Sequence, residues 1–244
     1  TEPRSPRTWK KYGDALMQVG RYDEAAKAMR QVVQMSPKDL GPLWSGLGEA
    51  ELRSGDPEAA VRALRRAVDL VPDSTRNREL LGQARLRLAQ QRLRQGMHGE
   101  ATQLAVKAVD AWDLPAEGIY LAGLIAVRAG DRAAADRLFD QALQEDPDLL
   151  RKKHRLAVEL DSQGKHREAA SLFEEILAAR PRHAHTLFNL GRSLILAGEP
   201  GRAIPALRAG LRLENDPNAR QWLSRARREA GSSSGGQGGS SVTR

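Results

Sequence analysis

The chain has 244 residues, a formal net charge of +8 and no cysteine. Disulfides, thiolate metal sites and cysteine nucleophiles are thereby excluded, and anionic partners are favoured over cationic ones. No apolar run reaches the roughly 18 residues of a membrane-spanning helix. Apolar residues make up 40% and charged residues 29%, a balance suited to an elongated array with much surface for its volume.

Residues 1–6 form a polar lead-in with two prolines, beginning at Thr1 rather than methionine, as a processed or excised piece would. From Arg7 to Val19 the chain reads as a helix, with Trp9, Tyr12 and Leu16 at helical spacing. Gly20 suits a left-handed helix end. The next helix carries Ala25, Met29, Val32 and Val33, and Pro37 marks its boundary. A second unit repeats the plan. Trp44, Leu47 and Gly48 lead to Gly55; Pro57 and Glu58 open a helix with Ala60, Leu64, Ala67 and Val68, and Pro72 ends it.

The third unit is longer. Candidate turn glycines are Gly20, Gly55, Gly96, Gly130, Gly164 and Gly198, spaced 35, 41, 34, 34 and 34. The excess is close to two helical turns, so the helix from about Arg76 to Gln95 can lengthen without rotating its apolar stripe far. Leu81, Leu88 and Ala89 form that stripe. Arg76, Arg78 and Arg85 make the extra turns a basic protrusion, either filler or docking element. The second helix holds Ala101, Ala105, Ala108 and Val109, with Trp112 and Pro115 closing the unit.

In the fourth unit two amphipathic segments meet at Gly130. Small residues at Gly123 and Ala135 allow close approach, Phe139 and Leu143 supply an apolar stripe, and Pro147 ends it. Leu156, Ala157, Gly164, Ala169 and Phe173 mark the fifth unit, and Leu187, Leu190, Gly191, Gly198, Ala203 and Leu207 the sixth. An alanine follows each turn glycine by five residues: Ala25, Ala60, Ala101, Ala135, Ala169 and Ala203. Such a beat specifies a repeat array. Asp216 and Pro217 then open a last helix to about Ala230, with Trp222, Leu223 and Ala226 inward, which caps the array. Gly/Ser-rich residues 231–244 read as a flexible tail.

These residues resemble the tetratricopeptide repeat family. The fourth unit carries its pattern in Ile119, Ala122, Gly123, Ala126, Ala135, Phe139, Ala142 and Pro147. The first carries it in Trp9, Tyr12, Gly13, Leu16, Ala25, Met29, Val32 and Pro37. The resemblance implies an all-α, right-handed α-solenoid of about six helix-turn-helix repeats over residues 7–230. The repeats fall at about 6–39, 41–74, 75–115, 116–149, 150–183 and 184–216, with a capping helix at 217–230. In the family, the first helix of each pair lines a concave groove that receives a partner segment.

Family geometry puts ten basic residues on that face, among them Arg7, Lys10, Lys11, Arg53, Arg87, Arg94, Arg128, Arg151, Arg155 and Arg192. It puts four acidic ones there: Asp14, Glu49, Glu117 and Asp161. Tyr120, Leu124, Val127, Phe188, Ile195 and Leu196 fall on the same face as candidate apolar pockets; His154 and Asn189 join the candidate contacts. The expected partner is a protein or peptide segment, acidic and partly apolar, captured by arginine forks. The family's carboxylate clamp is incomplete, since Lys10 is followed by Asp14 and then Gly46.

No catalytic constellation is visible. A phosphate-binding loop, a nucleophile elbow and a zinc-protease helix are all missing, and Glu174 and Glu175 point in different directions on their helix. His183 and His185 lack further metal ligands, and no cofactor or metal is expected. The four tryptophans read as packing residues. The chain is therefore read as a non-catalytic interaction scaffold or adaptor. The alternatives are a nucleic-acid-binding solenoid, suggested by the pI of about 10.2, or an arm of a larger bacterial enzyme or envelope complex. Richness in arginine, alanine and glycine suggests a bacterial source. The expected compartment is cytoplasmic, with periplasmic or envelope settings and the oligomeric state left open.

Overall fold

The computed structural model describes residues 5–35, 41–110 and 114–235. Among them are thirteen helices and no strand. Pro37 and Trp112, which the sequence places at unit boundaries, lie outside the described residues. The chain divides into two compact units, residues 1–145 and 146–244.

The first unit holds four helix pairs: α1 (Pro6–Gln18) with α2 (Tyr22–Met35), α3 (Gly41–Ser54) with α4 (Pro57–Leu70), α5 (Thr75–Arg94) with α6 (His98–Asp110), and α7 (Ala116–Ala129) with α8 (Arg132–Glu145). Each helix packs on the next. The second unit holds α9 (Leu149–Ser162) with α10 (His166–Ala179), α11 (Ala184–Leu196) with α12 (Pro200–Leu213), and the single helix α13 (Pro217–Gly235), packed in the same sequential way.

All six turn glycines have positive φ, between 76° and 91°. At Gly130 the reason is visible. Its N–H donates to the Val127 carbonyl (3.0 Å) and the Asp131 N–H to Ala126 (2.9 Å), a pairing that requires a left-handed residue between them. Asp131 then accepts from the Ala134 N–H (3.0 Å), starting α8 as α7 stops. The six alanines five residues on are all fully buried. Close helix approach explains Gly123 as well: a Cβ there would lie 2.6 Å from the Phe139 ring. In the second unit Gly191 stands in the same relation to Leu207, at 2.4 Å.

The long third hairpin keeps its register at the turn. Counting back from Gly96 puts Ala89 and Ala105 where Gly123 and Phe139 stand in the fourth pair, and both are fully buried. The added turns therefore lie at the N-terminal end of α5, and they are not the free basic protrusion expected. Leu81 joins Leu52, Ala60 and Leu64 in a core cluster. Buried Asn77 donates its amide to the Ala67 carbonyl at the end of α4 (3.3 Å). Arg76 reaches back to Glu49 (2.7 Å), and Arg85 donates to the Lys107 carbonyl (2.8 Å).

In the second unit Phe173, Leu194 and Leu207 fill the core, and α13 closes its end with Ala219, Leu223 and Ala226 inward. α13 runs to Gly235, five residues beyond the expected stop at Ala230. Ser232 there donates its hydroxyl to the Glu229 carbonyl (2.8 Å). Residues 236–244 of the expected tail lie outside the described residues.

Candidate functional site

In the first unit, helices α1, α3 and α5 are the first members of their pairs. Residues of these three helices, with Met29 of α2, surround a cavity of about 550 Å³. Asp14 and Arg53 line it, as do Glu49 and Arg76. Glu49 is the central charge. Its two oxygens are bound by Arg53 and Arg76, each at 2.7 Å, and its side chain is only 12% exposed. Arg53 also lies 5.5 Å from the Tyr22 ring centre. Lys10 is held by Asp14 at 2.7 Å, one turn along α1. The charges here are matched, two acids to two guanidiniums at the cavity wall.

Beyond that cavity the basic candidates differ. Arg87 donates to the Leu52 carbonyl (3.3 Å). Arg94 and Arg128 stand exposed, with no ion pair among the described residues. Tyr120 and Leu124, expected as pocket walls, are instead core residues, 1% and 8% exposed. α7 packs against α5 as well as α6 and α8, and the Tyr120 ring lies 5.0 Å from that of Phe139.

In the second unit a cavity of about 380 Å³ opens where α9, the end of α10 and the start of α11 converge. Arg151 and His154 come from α9, Arg180 from the end of α10, and His183 and His185 from the entry to α11. No carboxylate lines it. His154 stacks on His185 with ring centres 5.5 Å apart and meets the edge of Phe173 at 5.4 Å. Burial, then the neighbouring His185 and His183, hold the His154 imidazole below its ordinary pKa. Asn189 lies 3.2 Å from His154 Nε2. Arg155 is exposed, without an ion pair among the described residues.

Arg192 is committed elsewhere. It donates to Asp161 Oδ2 (2.8 Å), while His166 Nδ1 lies 2.8 Å from Oδ1. Burial pushes the Asp161 carboxyl up, but these donors outweigh it and hold its pKa below the ordinary range. Phe188 is half-buried, and its ring covers the Gly210 backbone, leaving no room for a Cβ there (2.5 Å). Ile195, a further expected pocket wall, is 3% exposed and belongs to the core.

Sequence reasoning did not place Arg76 and Arg180 among the site residues, and read His183 and His185 as exposed or groove histidines rather than as a metal pair. Among the described residues no group of three or more His, Asp or Glu side chains has metal-binding geometry. The available signal was a basic cluster, Arg180, Arg182, His183 and His185, at a helix entrance without one acid. No helix among the described residues is long and apolar enough to cross a membrane.

A model of the tetratricopeptide repeat matches residues 2–39, 11–75, 45–113 and 154–220. Among solved structures, a tetratricopeptide repeat protein from Parabacteroides merdae is 16% identical, covering 97% of this chain and 95% of its own, with a TM-score of 0.49. The C-terminal part of a TPR repeat-containing protein from Cytophaga hutchinsonii is 16% identical over 91% of this chain and 89% of its own, TM-score 0.49. YrrB, described as a TPR protein with an unusual peptide-binding site, is 17% identical over 83% of this chain and 99% of its own, TM-score 0.41. No curated protein sequence matches the chain. Paired helices turning at six left-handed glycines, together with a repeat model matching more than half of the residues, establish that this all-α chain belongs to the tetratricopeptide repeat family.

Proposed function

We propose that the chain is a non-catalytic scaffold whose first-helix faces bind an acidic, partly apolar segment of a partner protein. The fold of this family is generally that of a protein–protein interaction scaffold. The observation that carries the finer reading is the exposure of Arg94, Arg128 and Arg155 on first helices without a bound carboxylate. A guanidinium already paired gains little from a second anion, whereas an exposed, uncommitted one can fork onto an incoming carboxylate with two parallel hydrogen bonds. Exposed Leu156 and Val158, between Arg155 and the end of α9, offer apolar surface beside that charge.

The test is fluorescence anisotropy of a labelled peptide alternating glutamate and leucine, against its glutamine counterpart, over a series of salt concentrations. Reversing Arg94, Arg128 and Arg155 to glutamate together should weaken the acidic peptide at low salt by about tenfold or more, or about 1.4 kcal/mol. Affinity should fall as salt screens the pairs. Affinity indifferent to salt and to all three reversals contradicts the reading.

A further inference from the structure

The acid-free cavity of the second unit has a chemistry that capture of an acidic segment alone does not require. Donors reach it from three separate segments: Arg151 and His154 on α9, Arg180 at the end of α10, and His183 and His185 at the start of α11. Leu150 and Ile176 supply an apolar wall. Three carboxylates of the surrounding helices are already engaged. Asp148 holds Arg151 (2.6 Å), Glu175 holds Lys153 (3.0 Å), and Asp161 holds His166 and Arg192. None of the three projects into the cavity lining.

The partners of two imidazoles fix their tautomers. His183 caps α11: its Nδ1 accepts from the Thr186 N–H (3.3 Å) and lies 2.8 Å from the Thr186 hydroxyl. Its proton therefore sits on Nε2. The Asn189 amide nitrogen donates to His154 Nε2, which puts that ring's proton on Nδ1. The N-terminus of α11, thirteen residues long, adds the positive end of its dipole at the same cavity.

We propose that this cavity binds a phosphoryl group carried on a partner peptide. Arg180 supplies the uncommitted charge, the imidazole N–H groups supply further donors, and Leu150 and Ile176 receive the side chain that bears the phosphate; Arg151, held by Asp148, lines the wall. A planar carboxylate is satisfied by one guanidinium fork. Donors arriving from three segments, with no acid among them, match a tetrahedral dianion with three terminal oxygens. The inference rests on the scaffold reading above for its peptide partner, and adds that recognition depends on phosphorylation.

Inorganic phosphate and the intact chain provide the first test. The five histidines, His98, His154, His166, His183 and His185, are followed by NMR through a pH titration at constant ionic strength, with phosphate or with acetate. Phosphate should raise the titration midpoints of His154 and His185 by about one unit, because a bound dianion favours imidazolium. His98 and His166, outside the cavity, should not move, and acetate should leave all five in place. Equal shifts with phosphate and acetate, shifts shared by His98, or no shift at all overturn the proposal. In the second test a phosphoserine peptide is compared with its serine and glutamate forms. Arg180→Gln, an exposed substitution, should weaken the phosphorylated form about tenfold and leave the glutamate–leucine peptide unaffected. Loss of phosphate binding with the acidic peptide retained defeats only this inference. Phosphate shifts with no salt-dependent peptide binding defeat only the scaffold's acidic preference.

Discussion

The cavity of the first unit and the cavity of the second are both walled by first helices, yet their charges are arranged in opposite ways. In the first, Glu49 lies between Arg53 and Arg76 and Asp14 holds Lys10, so the field is largely cancelled where it arises. In the second, two arginines and three histidines face a space that no carboxylate lines, and of the arginines only Arg151 is paired among the described residues, with Asp148 (2.6 Å). A count of basic residues on first helices treats the two alike. What separates them is how many of the charges are paired, by a carboxylate one turn away on the same helix or, for Arg76, on a neighbouring one. The extra turns of α5 contribute directly, since Arg76 comes from them and completes the cage around Glu49.

The largest effect is expected from Phe173→Ala. Phe173 is fully buried and its ring supports the edge of His154. The truncation should cost about 3–5 kcal/mol, read from denaturant unfolding. It should also abolish the phosphate response of His154 while leaving the cavity of the first unit unchanged. A response that survives would separate the cavity from its supporting core and break the comparison.

A smaller effect follows from Glu49→Gln. The guanidiniums of Arg53 and Arg76 then lose their shared carboxylate, at a cost of about 1–2 kcal/mol, checked by the melting temperature. The first cavity becomes closer in charge to the second, so the glutamate–leucine peptide should bind it more tightly. Unchanged peptide affinity would mean that Glu49 does not silence those arginines.

Much of this fold could be read from the chain. A residue at positive φ must be glycine for steric reasons, so Gly20, Gly55, Gly96, Gly130, Gly164 and Gly198 announce their own turns. The alanines five residues later are legible because helices this close admit only a methyl group. The insertion near α5 was also visible, but not its direction. Whether extra turns project or fold back depends on Asn77 finding the Ala67 carbonyl and Arg76 finding Glu49, contacts to residues ten and twenty-seven positions away. Tyr120 and Leu124 were misplaced for a related reason. Their helical position is that of a groove residue, but both are buried where α7 packs among α5, α6 and α8. The second cavity was half legible. Arg151 and His154 stood among the candidates, whereas Arg180 and His183 come from a helix end and a cap, which a face-by-face reading of first helices passes over.

The smallest effect, and the one with opposite sign in the two units, concerns pH. Glu51 of α3 and Asp161 of α9 are both buried carboxylates, 3% and 6% exposed. Glu51 accepts from Arg30 at 3.0 Å through Oε1, and its Oε2 is buried without a hydrogen-bond partner. Burial therefore dominates and raises its pKa. Asp161 has donors on both oxygens, and its pKa is lowered. A raised carboxyl means that the folded state binds the extra proton, so stability from Glu51 declines as pH rises from about 4 through its folded pKa. A lowered carboxyl means that the unfolded state binds it, so stability from Asp161 is present above about pH 4 and is lost on acidification. Unfolding free energies measured across this range should show Glu51→Gln removing a decline and Asp161→Asn removing a rise. The two carboxylates are buried alike, so an identical pH response in both variants would show that donor number does not decide their titration.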